Sequence, residues 1–140
     1  MRALAEVLED AGKHDEALVL LRSAYEGQAR VDDVNDFGRL ETTIGYARLL
    51  RKAGALDDAE PLLRASIDRL EGLVGEKHWL RGRGWRELAL IELARGNHKR
   101  ALEATHNAVH AGIPLTELKA TELATLPGID ELEQEADTGQ

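Results

Sequence analysis

Three stretches decide the fold: LAEVLEDAGKHDEALVLLRSAYE (residues 4–26), YARLLRKAGALDDAEPLLRASID (46–68) and LALIELARGNHKRALEATHNAVH (88–110). Gly12, Gly54 and Gly96 stand at matching places, each 42 residues after the one before. Ala17, Ala59 and Ala101 follow the glycines at one fixed offset, and Ala5, Ala47 and Ala89 precede them at another. Looser matches keep the register: Leu21, Leu63 and Thr105, then Ala24, Ser66 and Ala108. A recurrence of this length marks a supersecondary unit that stacks on copies of itself.

Each class of residue has a physical use. A glycine after a helix adopts positive φ and closes the helix in a left-handed cap. Alanine at fixed register lets paired helices approach closely. Asp15, Asp57 and Asn97 lie where a side chain caps the next helix. The sets Ala17, Leu20, Leu21, Ala24, Tyr25 and Ala59, Leu62, Leu63, Ser66, Ile67, Leu70 have helical spacing. Pro61 is read as a first-turn proline, where its missing N–H costs little. The pattern predicts helices near 1–11, 15–30, 35–53, 57–74, 80–95 and 98–111. One hairpin cannot bury its own apolar stripe, so successive hairpins stack.

Composition agrees. The charged content of 31% and the single Phe fit helices with polar outer faces. Net charge of −8 argues against nucleic-acid binding, which needs a basic surface. No apolar run is long enough to span a membrane, and the N-terminus lacks a signal-peptide pattern. The absence of cysteine removes disulfides, thiol nucleophiles and thiolate metal sites. A cytoplasmic location is the expectation.

The residues at this register resemble the tetratricopeptide repeat family. Trp85, Leu88, Ala89, Gly96, Ala101 and Ala108 match its pattern of a large residue, a Leu–small pair, a glycine turn and spaced alanines. The 42-residue period is similar to the longer-helix variety of kinesin light chains and bacterial multi-repeat proteins. The resemblance implies an all-α superhelix (a tetratricopeptide solenoid) of three helical hairpins, about 1–34, 35–76 and 77–111, together forming one repeat domain over 1–111. A C-terminal helical cap over 112–136 follows, with a disordered tail at 137–140. Gly112 and Pro114 stop the last repeat helix, and Leu115, Leu118, Leu123, Leu126, Ile129 and Leu132 supply the apolar face of the cap. Glu92 and Thr105 depart from the aliphatic residues at matching positions of the other repeats.

The family geometry implies a concave groove lined by the first helix of each hairpin. Arg48, Arg51, Lys52, Arg83 and Arg86, with Ile44 and Leu90, are the partner-binding candidates. Arginine pairs with carboxylates through two hydrogen bonds, so an acidic segment of a protein or peptide is the expected ligand. The bland alternative is that these arginines pair with acids of their own fold. The family's carboxylate clamp and asparagine ladder are not reproduced, since Glu6, Gly45 and Glu87 or Ala3, Gly45 and Glu87 stand at their positions. The expected function is therefore a non-catalytic interaction or scaffold module. The alternative is a structural fragment of a larger regulatory protein that docks or forms a homodimer through its bare first helix, because Met1 falls inside that helix without a cap.

Chemistry is thinly represented. His106 and His110 have zinc-ligand spacing with Glu103 one turn earlier, but Asn107 follows the first histidine where a catalytic zinc helix needs glutamate. No metal, cofactor or enzymatic activity is expected. His14 and His98 are expected to pack over the hairpin, and His78 with Trp79 to anchor the link between repeats. The run VDDVND (31–36) lacks the glycine and distal glutamate of a calcium loop. RGRGWR (81–86) lacks a phosphate-loop lysine and a preceding strand.

Overall fold

The computed structural model describes residues 12–28 and 36–132. They form α1 (His14–Gln28), α2 (Asp36–Lys52), α3 (Leu56–Val74), α4 (Trp79–Ala94), α5 (His98–His110), α6 (Leu115–Lys119) and a 310 helix, Glu122–Thr125. Residues 129–132 are again helical, and no strand occurs among the described residues. The helix expected at 1–11, the self-association assigned to it and the tail at 137–140 lie outside the described residues. So does most of the VDDVND run.

The repeat register appears in the backbone. Gly12, Gly54 and Gly96 have φ of 80°, 86° and 80°. After Gly54, the Ala55 N–H donates to the Leu50 carbonyl at 2.8 Å and the Gly54 N–H to Arg51 at 2.9 Å. After Gly96, the Asn97 N–H donates to Glu92 at 2.8 Å and the Gly96 N–H to Leu93 at 3.0 Å. This paired bonding is the Schellman cap, which consumes carbonyls that a helix end leaves unsatisfied. The first bonds of the following helices recur as well: Ala17 to Lys13 at 3.1 Å, Ala59 to Ala55 at 3.1 Å, Ala101 to Asn97 at 2.9 Å.

The chain divides into two compact units, 1–66 and 67–140, with the boundary inside α3. In the first, α1 packs on α2. Ala17, Leu21 and Leu49 form a buried cluster, joined by Leu18, Leu20 and Tyr46. Tyr25 stacks on Tyr46 at 5.2 Å, and the Gln28 amide donates to the Thr42 hydroxyl at 3.1 Å. In the second unit, α4 packs on α5 and the 310 helix packs on α4. Ala89, Ala101 and Ala108 are fully buried there, as Ala17, Ala47 and Ala59 are in the first. Leu118, Leu123, Leu126, Ile129 and Leu132 are all buried, so the segment after Gly112 places its apolar residues in the core of its unit.

Several local expectations need correction. Asp15 and Asp57 sit inside the first turns of α1 and α3, where a negative charge favours the helix dipole, rather than at the caps. Asn97 is the N-cap of α5 but makes no side-chain cap bond. Its amide turns back to Glu92 Oε2 at 2.9 Å. Pro61 lies beyond the first turn of α3, so it does remove one intrahelical bond. His14 and His98 are exposed first-turn residues and do not cover the hairpins.

Candidate functional site

The two units hold different parts of the candidate set and are treated singly. In the first, Arg48, Arg51 and Lys52 occupy the last two turns of α2. Arg51 and Lys52 are thereby placed where the helix dipole favours cations. All three make interactions within the molecule. Ile44 is 4% exposed and is buried in the chain itself.

In the second unit, Arg83 and Arg86 lie in the first two turns of α4. Arg86 donates to Glu87 Oε2 at 3.2 Å, and Glu87 is only 1% exposed. A buried carboxylate demands such a partner, so Arg86 has a structural task. Leu90 is 6% exposed and therefore core. Arg83 is exposed, with its guanidinium 4.9 Å from the centre of the Trp79 ring.

The local sequence explains how α4 begins. His78 has extended backbone, with φ −141° and ψ 137°, and its Nδ1 accepts the Leu80 N–H at 3.1 Å. Its ring lies 5.4 Å from that of Trp79. The link is tied further by Arg81, which donates to the carbonyls of Ile67 and Glu76 at 3.4 Å each and faces Glu71 at 3.7 Å. Arg81 also lies 5.7 Å from the Trp85 ring. His78 thus anchors the link by capping the helix, whereas Trp79 is 43% exposed. The glycines of RGRGWR are helical and buried. A Cβ on Gly82 would come within 2.5 Å of Ile113 Cγ1, so this glycine serves close packing and does not cradle phosphate.

Glu92, 3% exposed, was legible only as a departure from the repeat. It accepts Asn97 Nδ2 at 2.9 Å and Arg95 Nη1 at 3.5 Å, while its backbone carbonyl accepts the Asn97 N–H. One residue therefore fastens the turn between α4 and α5 through both main chain and side chain. Thr105, fully buried, returns its hydroxyl to the Ala101 carbonyl at 2.7 Å. The polarity of both positions is satisfied locally.

The two metal candidates have different neighbours. His106 is exposed and lines a surface groove of about 530 Å3 with Lys99, Leu102, Glu103, Asn107 and Leu132. His110 faces Glu76 at 3.7 Å. Among the described residues, no group of three or more His, Cys, Asp or Glu is placed to hold a metal ion. No helix among them is long and apolar enough to cross a membrane.

The family model for the tetratricopeptide repeat matches residues 1–72. The chain belongs to the tetratricopeptide repeat family. No curated protein and no solved structure matches it. Tetratricopeptide repeats generally mediate protein–protein interaction and are generally non-catalytic. The match ends before α4. Beyond it, local features seen around Gly54 recur: the left-handed Gly96 cap, the buried Ala89 and Ala101, and the Ala101-to-Asn97 bond.

Proposed function

We propose that the chain is a non-catalytic cytoplasmic scaffold module that binds a protein or peptide partner through acidic segments. The family supplies the general role. The preference for acid rests on one observation: in a chain of net charge −8, basic residues gather on the first helix of successive hairpins. Arg48, Arg51 and Lys52 end α2, while Arg83 and Arg86 begin α4. Charge placed against the overall sign steers a complementary partner and sets its selectivity.

Fluorescence anisotropy with labelled acidic, neutral and basic peptides tests this reading. Acidic peptides are expected to bind best, with affinity falling several-fold as salt shortens the Debye length from about 10 Å to nearer 5 Å. Arg48→Glu combined with Arg83→Glu should remove the preference. Arg86 is unsuitable for reversal, because a second carboxylate would meet the buried Glu87. Equal binding of acidic and basic peptides, or none by the acidic set, would contradict the proposal.

A further inference from the structure

Three observations meet where α4 begins, all within the unit 67–140. First, Trp79 and Leu73 are each 43% exposed. Among the described residues of this unit they are the exposed large apolar side chains, and they flank the link 75–78. Second, Arg83, one helical turn after Trp79, rests against the indole at 4.9 Å. Third, Arg83 has no hydrogen-bond or ion-pair partner among the described residues.

Several neighbouring charges are already engaged. Arg81 faces Glu71, Arg86 bonds Glu87, and Glu76 faces His110. Among the described residues nothing takes the five N–H donors of Arg83, because a cation–π contact consumes none of them. That contact also restricts the long side chain before any ligand arrives, so less freedom is lost on binding. Tryptophan and arginine are the residue types over-represented where binding energy concentrates.

We propose that Arg83 and Trp79 form a docking platform for a partner segment in which a carboxylate adjoins an apolar side chain. The carboxylate takes paired hydrogen bonds from the Arg83 fork, and the apolar group lies on the Trp79 indole with Leu73 beside it. The proposal rests on the acidic-partner reading above and names the groups that perform it. It also gives the exposed Trp79 and Leu73 a use.

The two tryptophans make the test specific. A 1H–15N spectrum shows two indole N–H signals, assigned with Trp79→Phe. The probe is a blocked hexapeptide of two Glu-Leu pairs flanked by glycine, compared with its Gln-Leu counterpart. The Trp79 signal should shift saturably with the Glu-Leu peptide, and the Gln-Leu peptide should bind about ten-fold or more weakly. Arg83→Gln and Trp79→Ala should each weaken Glu-Leu binding by about ten-fold while leaving the circular dichroism spectrum and Tm near wild type. Arg100→Gln, an exposed position on α5 outside the proposed binding set, should bind as wild type. If Arg83→Gln binds normally and Arg48→Gln does not, the platform is wrong and the acidic-partner reading survives. If no signal of the protein responds to the Glu-Leu peptide, both are wrong.

Discussion

Gly82 and Gly72 are both helical, yet their surroundings differ. A Cβ on Gly82 meets Ile113 Cγ1 at 2.5 Å and Ala111 Cβ at 3.3 Å, whereas one on Gly72 meets nothing within 4 Å. Gly82→Ala is therefore expected to destabilise by about 1–3 kcal/mol through overpacking, while Gly72→Ala should stabilise by about 0.5–1 kcal/mol through helix propensity. Urea unfolding of both variants checks the opposite signs. This contrast could not be read from sequence, because both are simply glycines within helical patterns. The register alanines were legible, since a small residue recurring at one offset has few other reasons to be there. Glu92 was not: a carboxylate at a core position reads as a flaw until the fold brings the Asn97 amide to 2.9 Å. The contact between Trp79 and Arg83 lay within reach, since the two are four residues apart. Trp79 was instead assigned only to the link.

Among the described residues, the limits of α2 to α5 were readable to within about two residues, the usual uncertainty of helix ends, and at Gly54 and Gly96 a glycine cap defines them physically. What the sequence misplaced was the chemistry inside those ends. Asn97 was expected to cap α5, and it bonds backward across the turn instead. His78 was expected to anchor the link, and it does so by capping α4. Both outcomes depend on which amide lies in reach once the turn closes, which residue type alone does not specify. Pro61 is the one proline inside α3 and is exposed, so its removal creates no cavity. Pro61→Ala should restore a backbone bond and raise stability by about 1–3 kcal/mol, read as a higher urea midpoint with an unchanged m-value. A loss of stability would contradict this reading of Pro61.

Among the described residues, a helix, a left-handed glycine and a second helix occur in turn twice: α2, Gly54 and α3, then α4, Gly96 and α5. The candidate groove residues were only partly legible, because helical periodicity cannot separate a core position from a displayed one. Ile44 and Leu90 proved buried, and Arg86 proved to be committed to Glu87. The residue whose donors stay unspent, Arg83, was in the sequence-derived set, but nothing in the sequence distinguished it from its neighbours. Every functional proposal above depends on the rhythm continuing through α4 and α5, beyond the residues that the family match covers. Backbone 13C chemical shifts of the intact chain measure this directly. Helical shifts should run through Leu56–Val74, Trp79–Ala94 and His98–His110, broken at Gly54 and Gly96 by positive φ. Extended shifts within 79–110, or one helix running unbroken through Gly96, would contradict the repeat and the binding surfaces derived from it.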